Sequence, residues 1–367
     1  MSDDQERLTQ LRTRLGELDH AALEIIAERQ SLAKEIGRIK AELGRPTRDF
    51  VQEKEVALRA RRNAEALDLD PALAEQLSLM LINASLTAQE RDRVVAAGEG
   101  AGRRVLIIGG AGKMGRWFAG FLASQGFSVE IADPAGAVEG YAHIEDWEKS
   151  ALDHDIIIVA ATLRQSNVIL EKLATRKVPG VVFDIGSLKT PLRSGLRAVQ
   201  EAGVAVTSIH PMFGPDTALL SGRHVIFIDL GSDRAVSLAR ELFASTMATQ
   251  VEMELDSHDR LIAYILGLSH AVNIVFLAAL AGSGEDSERL ARLSSTTFDA
   301  QLGVASRVAA ENPHLYFEIQ SLNEHGRGAL DQLVAATERL SAIVAAGDEN
   351  GFAEMMKSGK RYLIREG

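Results

Sequence analysis

The 367-residue chain contains no cysteine, so disulfide bonds and thiolate chemistry are excluded, which fits a reducing cytoplasm. We also expect no secretory signal peptide, because residues 1–10 are strongly charged and contain no apolar core. Basic residues are too few to balance the acidic ones, and the formal net charge is −11. This acidity argues against nucleic acid or an anionic membrane as a partner. An anionic substrate would therefore require a local basic pocket.

One long apolar run, residues 261–281, reaches the length of a membrane span. It stands alone and contains the polar residues His270 and Asn273. We therefore expect this run to form a buried helix within a helical domain, and we expect no membrane partner.

The chain divides into three zones and a short linker. Residues 1–97 have helical patterns throughout, and the glycine-rich residues 98–102 are expected to form a flexible linker. Residues 103–254 alternate short apolar runs with helical segments, which is typical of a Rossmann-like parallel α/β sheet. Residues 255–367 are again helical. The runs assigned to strands are residues 104–108, 129–132, 155–160, 181–185, 204–209 and 224–228.

Apolar residues at three- and four-residue spacing predict one very long helix at the N-terminus. Its seam consists of Leu8, Leu11, Leu15, Leu18, Ala22, Ile25, Leu32, Ile36, Ile39 and Leu43. A cation, Arg29, interrupts the seam, and Pro46 ends the helix. A second helix is expected from about Asp49, and a third from the Asp70–Pro71 cap to about residue 97. Three helices cannot easily bury so long a seam, so we expect a homodimer that shares the long helices.

A strand, a glycine-rich turn and a helix start follow one another in residues 105–115. Gly110, Gly112 and Gly115 fit the pattern G-x-G-x-x-G. In that pattern the glycines permit a tight turn, close approach of a pyrophosphate, and close packing of helix on strand. The sequence therefore predicts a dinucleotide site at this turn.

Two further features specify the dinucleotide. Lys113 and Met114 lie in the first turn of the helix, whose N–H groups and positive dipole would face the phosphates. Asp133 ends the second strand, at the spacing expected for a carboxylate that binds the ribose. Its charge would repel a 2′-phosphate, so the expected cofactor is NAD rather than NADP.

Two strand ends are expected to carry the oxidation chemistry, because ligands of such sheets lie at the carboxyl ends of the strands. One strand leads to Ser187, and another ends at His210 in a run rich in Pro and Gly. A histidine at this position could accept a hydroxyl proton as hydride leaves the same carbon, with Ser187 orienting the hydroxyl or the imidazole. His258 and His270 follow on helical segments, and for His270 a binding role and a place in the core remain equally open.

These motifs carry a family resemblance. With I-H-P-M-F-G-P-D, G-G-A-G-K-M-G-R and D-I-G-S-L-K, the chain from about residue 103 resembles the prephenate dehydrogenases. The N-terminal zone resembles the helical chorismate mutases. Their fusion is similar to the bifunctional chorismate mutase/prephenate dehydrogenases of tyrosine biosynthesis. The resemblance implies an all-α mutase domain, an NAD-binding domain and an all-α substrate and dimerisation domain, with chorismate and prephenate as substrates.

The mutase resemblance assigns seven polar residues to one site. They are Arg12, Arg29, Lys40, Asp49, Glu53, Ser85 and Gln89. Arg29 and Lys40 are three turns apart and about 20° from alignment, so they share one face of the long helix. Arg12 lies about 100° from that face, which fits the family pattern in which this arginine enters the partner's pocket.

The resemblance also implies a role for each residue. The rearrangement of chorismate is pericyclic, so the enzyme needs only to hold a compact dicarboxylate and to stabilise charge on the ether oxygen. Arg12 and Arg29 would clamp the carboxylates, Lys40 and Gln89 would face the ether oxygen, and Glu53 would bind the ring hydroxyl, without a metal. In the second reaction, His210 would polarise the ring hydroxyl of prephenate, with Ser187 near it. His270 would line the substrate pocket.

One position departs from the family pattern and keeps further substrates open. Asp299 stands where an arginine for a prephenate carboxylate is expected after Ser294 and Ser295, and Arg292, Arg307 and Lys189 are candidate replacements. Arogenate or 4-amino-4-deoxyprephenate could therefore be the substrate of the dehydrogenase. The helical domain could instead be non-catalytic and serve dimerisation, or the chain could be a generic β-hydroxyacid dehydrogenase.

Overall fold

The computed structural model describes residues 3–364. The chain begins with three helices, α1 (Asp3–Glu42), α2 (Phe50–Ala66) and α3 (Pro71–Ala96). Two aspartates set the starts of the second and third helices. Asp49 accepts hydrogen bonds from the N–H groups of Val51 and Gln52, and Asp70 accepts one from Ala72 while Pro71 occupies the first turn. The predicted starts of α2 and α3 and the predicted end of α3 agree with these to within about a residue, whereas α1 ends at Glu42, before the Pro46 that was predicted to end it.

The apolar seam of α1 faces solvent in a single chain. No residue of α1 is buried, and Leu15 and Ile25 are 60% and 66% exposed. Exposure of so long a row of apolar side chains to water is unfavourable, so we expect another surface to cover it.

Within the described residues, eight strands form one sheet in the order β3-β2-β1-β4-β5-β6-β7-β8. The strands are β1 (Arg104–Ile108), β2 (Ser128–Ala132), β3 (Ala142–His143), β4 (Ile156–Val159), β5 (Val181–Asp184), β6 (Ala205–Pro211), β7 (His224–Asp229) and β8 (Thr249–Glu254). The strand order reverses between β1 and β4, which is where Rossmann-like folds bind dinucleotides. The predicted α/β class is confirmed.

The sheet differs from the fully parallel prediction at one pair of strands. β6 and β7 are antiparallel, with Ser208 opposite Ile228 and Pro211 opposite Val225. The segment between them contains no helix, and a parallel pair would need a crossover long enough to hold one. β3 and β8 were not predicted, because β3 has only two residues and β8 is a largely polar edge strand.

Helices pack on both faces of the sheet and bury two apolar layers. The helices are α4 (Lys113–Ser124), α5 (Leu163–Ala174), α6 (Arg193–Glu201) and α7 (Asp233–Glu241). One layer is rich in phenylalanine, including Phe118, Phe227 and Phe243, and the other is mostly Leu, Ile and Val. The resulting rigid sheet brings the carboxyl ends of β1, β4, β5 and β6 to one edge.

The C-terminal part is helical, as predicted. It contains α8 (Leu255–Ile262), a π-helical segment (Ala263–Leu268), α9 (Ser269–Gly282), α10 (Ser287–Arg292), α11 (Thr296–Ala309), α12 (Pro313–Leu322), α13 (Gly326–Ala345) and α14 (Glu349–Leu363). The continuous stretch Leu255–Gly282 is long and apolar enough to cross a membrane, judged by length and composition alone. Only 28% of its most apolar window is buried within one chain, so the expectation of a buried helix is wrong for the isolated subunit. The sequence pattern could not show this, because an apolar face covered by the same chain and one left for a partner look alike.

The glycine-rich linker is packed rather than loose. A Cβ atom on Gly98 would lie 2.5 Å from the carbonyl oxygen of Gln125, and one on Gly100 would lie 2.5 Å from Phe127. The N–H of Gly100 also donates to the carbonyl of Gln125 at 3.0 Å. The mutase-like helices are therefore anchored to the end of α4, where the sequence predicted a flexible connection.

Candidate active sites

Six of the seven residues assigned to a mutase site line one cavity of about 130 Å³ between α1, α2 and α3. The six are Arg29, Lys40, Asp49, Glu53, Ser85 and Gln89. Apolar side chains such as Ile36, Val56 and Ile82 complete the wall. The cavity therefore combines cations for an anionic ligand with apolar surface for a ring.

Hydrogen bonds to α3 hold the cation Arg29 in place. Its Nη1 donates to the carbonyl of Leu81 at 3.1 Å and to Oγ of the buried Ser85 at 2.9 Å. Lys40 donates to the carbonyl of Thr47 at 3.2 Å. Each cation retains further N–H donors for a ligand.

Two further polar residues of the cavity, Glu53 and Gln89, have partners that the sequence did not reveal. Glu53 forms a bidentate ion pair with Arg48, at 3.0 and 2.9 Å. Gln89 donates to the carbonyl of Ala33, and its side chain packs against Gly37, where a Cβ would lie 2.6 Å from Cγ of Gln89. Gly37 thus leaves room on α1 for the amide of Gln89.

Arg12 does not line this cavity. It is exposed on α1, seventeen residues before Arg29, which corresponds to about 25 Å along the helix. Arg12 therefore cannot reach the cavity of its own chain, and any role in a mutase site requires the cavity of a second copy.

The dinucleotide turn differs in one respect from the sequence prediction. The glycine that needs a left-handed conformation is Gly109, with φ of +90°, and not Gly110. Gly110 is required for space instead, because a Cβ there would lie 2.6 Å from Ile131. Gly115 allows α4 to pack against the turn, where a Cβ would lie 2.5 Å from the carbonyl oxygen of Gly109.

The turn leaves space for a phosphate at the start of α4. A Cβ on Gly112, the N-cap of α4, would meet only one atom within 4 Å, at 3.4 Å. The amides of Lys113 and Met114 lie in the first turn of α4, where helical N–H groups have no partner within the helix. Asp133 accepts hydrogen bonds from Ala111 at 3.0 Å and from Ala135 at 2.8 Å, so its carboxylate is fixed at the end of β2. These residues fit a dinucleotide.

At the carboxyl end of β6, His210 is the first member of a buried hydrogen-bonded series. Its Nδ1 lies 2.9 Å from Nε2 of His258, and Nδ1 of His258 lies 2.6 Å from Oδ1 of Asp259. His210 is 4% exposed and His258 is fully buried. The backbone N–H groups of Lys189 and Thr190 donate to the carboxylate of Asp259.

The environment determines the charge of each member. Burial alone would raise the pKa of Asp259, but hydrogen bonds from His258 and Thr190 outweigh it and lower the pKa to about 2. Burial lowers the pKa of His258. Burial, with the neighbouring His258 and Lys189, lowers the pKa of His210 well below its ordinary value. At neutral pH the carboxylate is therefore ionised and both rings are neutral.

Lys189 is not available as a replacement for the missing arginine. It is fully buried, and its Nζ donates to Oδ1 of Asp184 at 3.0 Å and to the carbonyls of Gly186 and Ile209 at 2.7 and 2.9 Å. An ammonium has three donors, and all three are used. Lys189 instead ties the end of β5 to the residue before His210.

Ser187 and His270 occupy different surroundings. Ser187 follows β5 at the same edge of the sheet as His210, and its Oγ is buried without a hydrogen-bond partner among the described residues. His270 stacks on Tyr316 with ring centroids 4.1 Å apart. Within residues 3–364, no hydrogen bond links His270 to the His210 series.

The π-helical segment lies between His258 and His270. A regular α-helix turns about 100° per residue, which would place His270 about 120° around the helix from His258. A π-helix turns roughly 80° per residue, so the six residues Ala263–Leu268 reduce this offset to roughly 0°. Both histidines therefore leave the helix on the same side.

Asp299 lies in the first turn of α11, where it is exposed and accepts a hydrogen bond from Ser294. Arg292 and Arg307 are also exposed, on α10 and α11. None of the three is enclosed in a pocket of one chain.

Comparisons with known proteins identify both halves of this architecture. The 4-amino-4-deoxyprephenate dehydrogenase of Streptomyces pristinaespiralis is 30% identical over 275 residues, which are 72% of this chain and 92% of that protein. The chain belongs to the prephenate dehydrogenase family. The chain itself is also 27% identical to the T-protein of Enterobacter agglomerans over 351 residues. These residues are 94% of the chain and 90% of the T-protein.

Three family models match three successive parts of the chain, and these parts correspond to the three domains of the fold. Residues 11–90 match chorismate mutase type II, residues 132–252 match the prephenate dehydrogenase nucleotide-binding domain, and residues 254–358 match the prephenate dehydrogenase dimerization domain. The predicted fusion is confirmed. The glycine turn at Gly109–Gly115 lies before residue 132, where the match to the nucleotide-binding domain begins. The assignment of this turn to the dinucleotide therefore rests on its geometry.

Solved structures support the fold of the dehydrogenase part. The crystal structure of prephenate dehydrogenase from A. aeolicus in complex with hydroxyphenyl propionate and NAD+ aligns with a TM-score of 0.58 at 19% identity. The alignment covers 71% of this chain and 97% of that one.

Proposed function

We propose that this enzyme rearranges chorismate to prephenate and then oxidises prephenate with NAD⁺ to 4-hydroxyphenylpyruvate and carbon dioxide, in tyrosine biosynthesis. The observation that carries the proposal is the presence of two separate polar sites in one chain. The cavity around Arg29 suits a dicarboxylate, and the buried His210 series suits proton abstraction beside a dinucleotide turn. The first product is the second substrate.

In the mutase site, the enzyme contributes position and charge rather than bond-forming groups. Arg29 would clamp one carboxylate with its guanidinium fork, and Arg12 of a second copy would clamp the second carboxylate. Lys40 and Gln89 would donate to the ether oxygen, where negative charge develops as the bond breaks. Glu53, with its ion pair to Arg48, would accept the ring hydroxyl.

In the dehydrogenase site, bound NAD⁺ would take a hydride from the carbon that carries the ring hydroxyl. The amides around Gly112 would hold the pyrophosphate, and Asp133 would bind the adenosine ribose. His210 would accept the hydroxyl proton, and Ser187 would orient that hydroxyl. Loss of carbon dioxide then makes the ring aromatic, so the reaction runs in one direction.

The working form in this proposal is a cytoplasmic homodimer. The exposed seam of α1 and the exposed apolar face of Leu255–Gly282 are the two surfaces that a second copy would cover. The second of these lies within the match to the dimerization domain. A dimer would also bring Arg12 of one chain to the cavity of its partner.

A second candidate substrate is 4-amino-4-deoxyprephenate. The S. pristinaespiralis relative supports it, because that 4-amino-4-deoxyprephenate dehydrogenase is 30% identical over 275 residues. The Asp299 departure is consistent with a changed pocket. Arogenate is a third candidate, because it is made from prephenate and leaves the mutase assignment unchanged.

One experiment tests the whole proposal. Purified protein given chorismate and NAD⁺ should form NADH and 4-hydroxyphenylpyruvate without added prephenate. In parallel reactions, prephenate should give a higher kcat/KM than arogenate or 4-amino-4-deoxyprephenate. Absence of NADH with both chorismate and prephenate contradicts the proposal, and preference for the amino compound selects the second candidate.

A further inference from the structure

The series Asp259–His258–His210 has one consistent arrangement of protons at neutral pH. Asp259 is ionised and can only accept, so Nδ1 of His258 must carry the proton between them. Nε2 of the neutral His258 is then bare and accepts from Nδ1–H of His210. This leaves Nε2 of His210 bare, and it is the one nitrogen of the series available to a substrate.

We propose that these three residues form a proton relay in which His258 takes up the charge that His210 receives from the substrate. The inference rests on the proposed oxidation of prephenate. As the hydroxyl O–H bond breaks, its proton bonds to Nε2 of His210. The proton on Nδ1 of His210 moves to Nε2 of His258, and NAD⁺ takes the hydride as before. His258 is then an imidazolium with one N–H on Asp259 and one on His210.

The charges around the series favour His258 as the place where the proton rests. The carboxylate of Asp259 contacts His258 directly, whereas no carboxylate contacts His210 among the described residues. The charge of the buried Lys189 contributes to lowering the pKa of both histidines, and Lys189 is itself paired with Asp184. In this dry environment, a positive charge is best placed against the one ionised carboxylate of the series. When product leaves, the proton returns to Nδ1 of His210 and Nε2 releases its own to solvent.

His258 and Asp259 would not touch the substrate, so they act through His210 as positioning residues. A structural role and a relay role differ in one respect. Holding His210 requires only a group that accepts its Nδ1–H, whereas a relay requires a group that can also bind the proton.

The variant His258→Gln separates the two roles. Its amide oxygen can accept the Nδ1–H of His210 and its NH₂ can donate to Asp259, but it cannot take up a proton. We expect kcat for prephenate oxidation to fall by about 10² or more, with KM for prephenate changed less than about threefold. Asp259→Asn should reverse the proton arrangement and lower kcat at least as far. His143→Gln, on the exposed edge strand β3, is the matched control and should be unchanged.

The same chain supplies the folding control, because mutase activity should remain at the wild-type level in every variant. The acid limb of the kcat profile should also move in His258→Gln, since His210 must then hold the proton alone. A His258→Gln enzyme with kcat within about threefold of wild type, or with an unchanged acid limb, overturns the relay. If the wild-type enzyme does not oxidise prephenate, the proposed function fails instead.

Discussion

Replacement of Arg29 by alanine should remove mutase activity and leave dehydrogenase activity. In the folded chain the guanidinium reaches across from α1 to Leu81 and Ser85 on α3, and it lines the cavity that also holds five of the other six residues assigned to the mutase site. A bound carboxylate would accept two charge-assisted hydrogen bonds from it, each contributing about 1.5–3 kcal/mol. The loss of about 3–6 kcal/mol corresponds to a fall of roughly 10²–10⁴ in kcat/KM for chorismate.

Two measurements on one preparation test this magnitude: the consumption of chorismate, and the formation of NADH from added prephenate. Arg29→Lys keeps the charge but lacks the planar fork, so it should give an intermediate loss. Arg14→Ala removes an exposed arginine of the same helix, which pairs only with Glu17, and should change neither activity. Equal losses of both activities in Arg29→Ala would mean that the variant is merely unstable. Retention of both would show that the cavity is not the mutase site.

Three further perturbations have defined outcomes. Arg48→Ala should leave Glu53 uncompensated beside a dicarboxylate and raise KM for chorismate about tenfold, measured by initial rates; an unchanged KM would show that the pair is only structural. Burial lowers the pKa of His210 well below 6.5, so this base stays neutral at pH values somewhat below 6.5. We therefore expect kcat/KM for prephenate to be constant around pH 6.5 and to fall only at lower pH. An acid limb at or above pH 6.5 in the pH–rate profile would contradict this. Asp133→Ala should raise KM for NAD⁺ by about tenfold, because the ribose loses its hydrogen-bond acceptor. The ratio of kcat/KM for NAD⁺ to kcat/KM for NADP⁺ should also fall, because a 2′-phosphate is no longer repelled. An unchanged ratio would show that Asp133 is not part of the site.

The sequence predicted the mutase-like domain well because its structure is local. Helix caps such as Asp70 and the four-residue spacing of Ser85 and Gln89 act within one helix, so spacing alone places side chains on a common face. The long helix also placed Arg29 and Lys40 correctly relative to each other. The family resemblance then supplied the pairing of helices that no local rule contains, and the six residues do meet in one cavity.

The parts that were missed depend on contacts between distant segments. No sequence pattern marks the π-helical segment that turns His270 towards the side of His258, and the antiparallel β7 follows from a connection without a helix. The contact of His258 with His210 joins residues 48 positions apart. The segment Leu255–Gly282 is largely exposed in one chain. A single sequence does not show whether its apolar face is to be covered by the same chain or by a second copy.

Helix α3 connects the two domains through the residue Glu90. Gln89 faces the mutase cavity, while the next residue, Glu90, is 3% exposed and points into the dehydrogenase domain. The carboxylate of Glu90 accepts the N–H of Leu220 at 2.7 Å and the N–H of Met247. Burial raises the pKa of Glu90, and these two hydrogen bonds oppose that rise. Without the dehydrogenase domain, the carboxylate would lose both partners.

Arg48 makes a second connection between the domains. It pairs with Glu53 in the mutase site and donates to Oγ of Ser221 at 2.6 Å. Ser221 belongs to the segment between β6 and β7, the segment that begins directly after His210 and Pro211. The residues that shape the mutase cavity are thus fixed by hydrogen bonds to the chain that carries the oxidation site. Without the second domain, Arg48 and Glu90 would lose these hydrogen bonds, so we expect the position of Arg48 beside Glu53 to be less well defined in the isolated first domain.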